Sequence, residues 1–115
     1  MGNFEDWKKV KKTLCICEGG IAEVLVTTPA LRTIKQCLPE STLTFLSTSQ
    51  GDSIAHFIPE IDNSISFTFP FSHYLPEVLQ MHAFDAVIIF TAYGQSSLPL
   101  AQICKAASIP LLLAY

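Results

Sequence analysis

Four short runs rich in apolar residues, Thr13–Cys17, Thr42–Ser47, Asp85–Thr91 and Pro110–Ala114, punctuate the chain, and the longest segments between them repeat apolar residues every three or four positions. Runs that are apolar almost throughout suit strands buried on both faces, and the helical spacing between them suits crossovers. Strands alternating with helices in this way predict right-handed βαβ units, a parallel sheet and helices on both of its faces.

The details follow from punctuation. Thr13–Cys17 ends at Glu18, Gly19 and Gly20, as a buried strand entering a tight turn does. Ile21, Val24, Leu25, Leu31, Ile34 and Leu38 then keep a helical period that Pro39 closes. Thr28 and Pro29 have the types of an N-cap and a first helical residue, so this helix is expected to kink there or to follow a separate turn. A short helix is expected over Asp52–Ile58, ended by Pro59. Ile65, Phe67 and Phe69 alternate with Ser64, Ser66 and Thr68, a period of two that suits a half-exposed edge strand. Helices are expected over His73–His82 and from Ser96 or Ser97 to Ala107, with Pro99 in the first turn of the latter. The expected fold class is α/β, a Rossmann-like parallel sheet of about five strands. Residues 1–12 read as a lead-in and residues 13–115 as one domain.

Charged residues make up 15% of the 115-residue chain, against roughly 25% in average domains. The surface is therefore poor in charge, either because the strands are buried on both sides or because part of the surface meets a partner. A net charge of -3 gives no electrostatic footprint for nucleic acid. The basic cluster Lys8, Lys9, Lys11 and Lys12, interleaved with Trp7 and Val10, reads as a solvated lead-in or, at most, as a peripheral membrane contact. The four cysteines, Cys15, Cys17, Cys37 and Cys104, read as buried small hydrophobes with reduced thiols. His56, His73 and His82 share no ligand spacing with them, so neither a metal nor a cofactor is expected. The N-terminus is charged rather than apolar, Asp6 breaks a myristoylation motif, and no apolar stretch approaches the ~20 residues of a membrane span. A cytoplasmic location, with at most a peripheral place at the inner membrane, is expected.

If the strand order is 3-2-1-4-5, the topology reverses between strands one and four, and ligands bind outside the carboxyl ends of the strands at such a reversal. The loops leaving those strands are Glu18–Glu23 (EGGIAE) and Ala92–Ser97 (AYGQSS), both glycine-containing and polar. Gly19 and Gly20 either let helix amides receive a polar substrate or make a tight turn and nothing more. Glu23 is placed either to accept a proton from a sugar hydroxyl or to complement a helix dipole. Gln95 and Ser96 can hydrogen-bond a polyol on which the Tyr93 ring stacks, or they form a helix cap beside a loop tyrosine. The histidines lie outside both loops, which argues against a nucleophilic triad.

The stretch LCICEGGIAEVLVTTPALRTIK from Leu14 to Lys35 is similar to the opening motif of the heptosyltransferase-type glycosyltransferases, carbohydrate-active family nine, with TTPALR its most specific part. Further similarity runs through FIPEID, FDAVIIFTAYGQSSLP and ASIPLLLAY, together covering nearly the whole chain. The resemblance implies the N-terminal, acceptor-side half of a two-domain GT-B enzyme, which moves a sugar from a nucleotide-sugar donor to a cell-envelope glycan such as lipopolysaccharide. It implies Glu23 as the base and Gly19, Gly20, Thr27, Thr28, Tyr93, Gln95 and Ser96 as substrate contacts. The donor would be held by a C-terminal domain beyond this chain or by a complementary protein half, so the chain is expected to be inactive alone.

Departures accompany the resemblance. Ala22 and Glu23 stand where the family has Gly-Asp, which lengthens the acid by one methylene. Cys17 replaces a basic residue, Ser108 a glycine and Leu112 an arginine. The scaffold is better kept than the site, which leaves a non-catalytic module that binds a partner protein, or a gene remnant, as the competing expectation.

Overall fold

A computed structural model describes residues 9–17, 19–66, 75–90, 102, 104, 105, 109 and 111–114. Its strands are β1 (Lys12–Cys17), β2 (Thr42–Ser47), β3 (Asn63–Ser66), β4 (Ala86–Phe90) and β5 (Leu111–Ala114). Its helices are α1 (Ile21–Cys37), α2 (Ser49–Ala55) and α3 (Leu75–His82), with helical backbone also at Gln102, Cys104 and Lys105. All neighbouring strands pair in parallel, in the order β3-β2-β1-β4-β5. The expected fold class and strand order are those observed. Of the expected edge strand, Ile65 lies in β3, whereas Phe67 and Phe69 fall outside the described residues.

Register explains why the central strands are apolar throughout. Leu14 pairs with Thr44 and Val87, Cys15 with Phe45 and Ile88, and Ile16 with Leu46 and Ile89, so side chains of like parity stack on one face. Leu14, Ile16, Leu46, Val87 and Ile89 form one core layer with Leu79 of α3, Cys104 and Ile109. Cys15, Cys17, Leu43, Phe45, Ile88 and Phe90 form the opposite layer with Val24 and Leu31 of α1 and Ala55 of α2. Helical residues thus cover both faces, and a β1 or β4 residue of either parity is buried.

Helix α1 corrects the reading of Thr28 as an N-cap. The helix runs unbroken from Ile21 through Pro29, and its N-cap is Gly20. Pro29 carries no amide hydrogen, yet the turn before it is tied by side chains: Thr27 Oγ1 donates to the Val24 carbonyl at 2.6 Å and Thr28 Oγ1 approaches the same carbonyl at 3.4 Å. Such back-bonding is the usual employment of a helical threonine. The side of α1 that packs on the sheet carries Val24, Thr27 and Leu31, while Ile21, Leu25 and Val26 are 47, 50 and 78% exposed. Cys37, expected to be buried, is exposed on the last turn. The apolar spacing therefore misplaced Ile21, Leu25 and Cys37, because α1 lies on the sheet through a narrower stripe than its apolar content suggests.

Helix α2 begins earlier than expected and ends earlier. Thr48 caps it, accepting from the Gly51 amide at 3.3 Å, and the chain leaves the helix after Ala55 rather than at Ile58. Helix α3 stops where Ala83 takes a left-handed φ of 53°, a conformation that disfavours residues with a Cβ.

The amino-terminal edge of the sheet is tightly bonded. Asp85 Oδ2 accepts from the amides of Lys11 and Lys12 at 2.9 and 3.0 Å, joining the starts of β1 and β4. Asp62 Oδ2 accepts from the Leu43 amide at 2.8 Å and from Lys35 Nζ at 2.5 Å, joining β2, β3 and α1. Lys35 Nζ also donates to the Ser41 carbonyl at 2.9 Å, and the buried hydroxyls of Thr13 and Ser41 bond each other at 2.7 Å. Lys12 donates to the carbonyl of His82, whose ring stacks on Phe84 at 5.5 Å between centroids.

Candidate functional site

The observed strand order places the topological reversal between β1 and β4, so the opening to search lies past Cys17 and Phe90. Past Cys17 the chain turns through Gly19 and Gly20 into α1. Gly20 caps that helix without any side-chain hydrogen bond, and Val24 donates to the Gly20 carbonyl at 3.1 Å. Glu23, on the first turn, is exposed. Its side chain folds back over the loop: a Cβ added to Gly19 would overlap the Glu23 side chain, reaching its carboxyl carbon at 2.9 Å. Glycine at position 19 is thus the condition for this pose of Glu23.

The neighbouring wall comes from the start of α2. Thr48 Oγ1 accepts from the Gly51 amide and donates to the Gly19 carbonyl at 3.2 Å, so one hydroxyl both caps α2 and ties down the glycine loop. Gly51 is buried, and a Cβ there would lie 2.9 Å from Val24 Cγ2 and 3.1 Å from Ser47 Cβ. Its missing side chain lets α1 and α2 approach closely. That approach carries exposed Gln50 to the rim of the glycine loop, where its Oε1 lies 3.5 Å and Glu23 Oε2 lies 3.7 Å from the position of a Cβ on Gly20. Beneath them the hydroxyl of Ser47, at the end of β2, is buried with no hydrogen-bond partner among the described residues.

The structure brings together Gly19, Gly20 and Glu23 from the expected site. Thr27 and Thr28 sit farther along α1, with their hydroxyls on the Val24 carbonyl and Thr27 buried. Tyr93, Gln95 and Ser96 lie outside the described residues. Sequence reasoning missed Thr48 and Gln50, because it began α2 at Asp52. A threonine followed three residues later by a glycine amide it can cap was the available signal.

Among the described residues no group of three or more His, Cys, Asp and Glu could hold a metal ion. Burial pushes the thiols of Cys15 and Cys104 up to about 12, which keeps them protonated and unreactive. His56 Nε2 lies 3.4 Å from Asp52 Oδ2 on α2, and His82 belongs to the opposite edge of the sheet. Among the described residues no helix is long and apolar enough to cross a membrane.

No family model and no curated protein matches this sequence. Solved structures do match its fold. ADP-heptose lps heptosyltransferase II of E. coli superposes with a TM-score of 0.75 at 16% identity, over 90% of this chain and 30% of that one. A glycosyl transferase of family 9 from Veillonella parvula DSM 2008 superposes with a TM-score of 0.68 at 18% identity, over 91% of this chain and 32% of that one. The chain therefore has the Rossmann-like α/β fold found in these glycosyltransferases and spans about a third of the length of either.

Proposed function

We propose that the chain is the acceptor-side domain of an inverting, heptosyltransferase-like glycosyltransferase acting on a cell-envelope glycan. The observation that carries this reading is the Glu23 carboxylate, exposed at the carboxyl edge of the sheet and held against Gly19 and Gly20, in a fold shared with two glycosyltransferases. In the reaction, an acceptor hydroxyl oxygen attacks the anomeric carbon of a nucleotide sugar. The new C–O bond forms as the bond from that carbon to the phosphate oxygen breaks, and the nucleoside diphosphate leaves with the electron pair. Glu23 receives the hydroxyl proton, which makes the oxygen a competent nucleophile at the moment it needs to be one. Attack opposite the leaving group inverts the anomeric centre.

A second domain, on the same polypeptide or a separate one, holds the donor. Glu23 stands one methylene longer than the family's aspartate, and misplacement by about 1 Å can cost on the order of a hundredfold in rate. A slow enzyme is the expectation.

The test is transfer from radiolabelled ADP-heptose to a lipopolysaccharide acceptor, with this chain alone and with the donor half of the E. coli enzyme added. Turnover only with the added half is expected. Absence of turnover in both conditions, with the chain shown to be folded, would remove the reading. It would leave the second one, a non-catalytic module that docks a protein partner, which the exposed Ile21, Leu25 and Val26 on α1 favour.

A further inference from the structure

Thr48, between β2 and α2, makes two hydrogen bonds with one hydroxyl. Its Oγ1 accepts from the Gly51 amide at 3.3 Å and donates to the Gly19 carbonyl at 3.2 Å. The first bond caps α2, and any good acceptor at this position supplies it. The second does nothing for α2, because it reaches the loop after β1, 29 residues away in the chain. A hydroxyl carries a single proton, so Thr48 commits its only donor to Gly19. Gly19 is the floor on which Glu23 rests: a Cβ there would overlap the Cβ and Cγ of Glu23, so the stem of the acid lies directly on the Gly19 backbone. Gly20 caps α1 without a side-chain hydrogen bond, and the loop therefore gains no fastening from that cap.

We propose that Thr48 is a positioning residue for Glu23, whose hydroxyl, by fixing the Gly19 carbonyl, sets where the Glu23 carboxylate stands against the acceptor hydroxyl. The inference rests on the glycosyltransferase reading and adds to it a residue that acts only through the glycine loop. The Thr48 hydroxyl is uncharged and bonded on both sides, so its contribution is geometric and it moves no proton in the transfer. Geometry matters here because displacement of a reacting group by about 1 Å can cost on the order of a hundredfold in rate. Two successive glycines released from this bond have the backbone freedom to move on that scale.

The test is a mutant cycle in the reconstituted transfer reaction, with kcat and the acceptor KM measured separately. Thr48→Val keeps the shape of the side chain and removes the hydroxyl; it is expected to lower kcat about ten- to a hundredfold while moving KM less than about threefold. Thr48→Ser restores the hydroxyl and is expected to return kcat to within about threefold of the parent. In a Glu23→Gln background, Thr48→Val is expected to cost less than about a further twofold, because a base that has been removed cannot be misplaced. A merely structural role would subtract the same factor in both backgrounds. Should Thr48→Val not fold, Thr48→Asp keeps an acceptor to cap α2 but lacks the donor. It is expected to fold and to lower the high-pH plateau of kcat, whereas its added negative charge alone would only shift the acid limb. If the parent enzyme transfers sugar and Thr48→Val matches its rate, or loses the same factor with and without Glu23, the positioning role is wrong and the acceptor-domain reading stands. If the folded parent transfers nothing, both fall together.

Discussion

At the amino-terminal edge of the sheet, carboxylates are occupied by the fold: Asp85 holds the amides of Lys11 and Lys12, and Asp62 holds the Leu43 amide and the Lys35 ammonium. At the carboxyl-terminal edge the polar groups look outward instead. Glu23 and Gln50 are exposed around Gly20, and the Ser47 hydroxyl lies buried without a partner among the described residues. Both edges contain acids, but only one spends them on the chain's own backbone. In a parallel sheet the carboxyl edge is where crossover loops open, so polar groups left over there are available to a ligand.

The largest effect is expected at the carboxyl edge. Glu23→Gln should lower transfer by the reconstituted enzyme about 10²- to 10⁴-fold, the usual worth of a general base, while moving stability by less than about 0.5 kcal/mol. A loss of stability without a loss of rate would reverse the contrast between the edges. At the amino edge, Asp85→Ala leaves two strand-start amides without their acceptor and should cost about 1–3 kcal/mol in denaturant unfolding. A cost near zero would show that water replaces the carboxylate there and that the edge is less tightly built than its bonds imply.

Ser47→Ala sharpens the same point with a smaller effect. Removing a buried hydroxyl that has no partner should leave stability unchanged or raise it by up to about 1 kcal/mol. A clear loss would mean that the hydroxyl is bonded in solution.

The smallest effect concerns Asp62. Its burial raises the pKa, but the Leu43 amide and the Lys35 ammonium outweigh that and hold the carboxyl below its ordinary 3.8. A folded value below the unfolded one gives stability that is complete above the unfolded value and is lost as pH falls through the folded one. Asp62→Asn should therefore flatten the stability curve below about pH 4 and leave its shape at neutral pH unchanged. An acid limb as steep as before would assign the acid response to other carboxylates.

Much of the fold was legible in the sequence because strand and helix periods are local. Thr42–Ser47 was bounded as observed, and the apolar character of Ala86–Phe90 marked a strand buried on both faces. Thr28 and Pro29 misled, since they carry the residue types of a helix start but sit inside α1. Proline in a helix is disfavoured by a local rule, and here threonine hydroxyls on the Val24 carbonyl and packing of Val24 and Leu31 on the sheet override it. Of the candidate site, Gly19, Gly20 and Glu23 were singled out through motif and fold logic, whereas Gly51 and Gln50 were not: Thr48 signals only where α2 starts, and nothing near Gln50 in sequence marks it as a neighbour of Gly20.

The sequence by itself determined which segments are strands, that the sheet is parallel, and that its open end follows the first strand, because hydrophobic period and glycine placement act over a few residues. Only the tertiary structure decided which side of α1 meets the sheet, which carboxylates are consumed in holding it, and that Gln50 stands beside Glu23. Those outcomes depend on the β1–β2 pairing, on the Thr48 hydroxyl reaching the Gly19 carbonyl, and on the close approach that Gly51 permits. They join residues far apart in the chain, and no local pattern records such contacts.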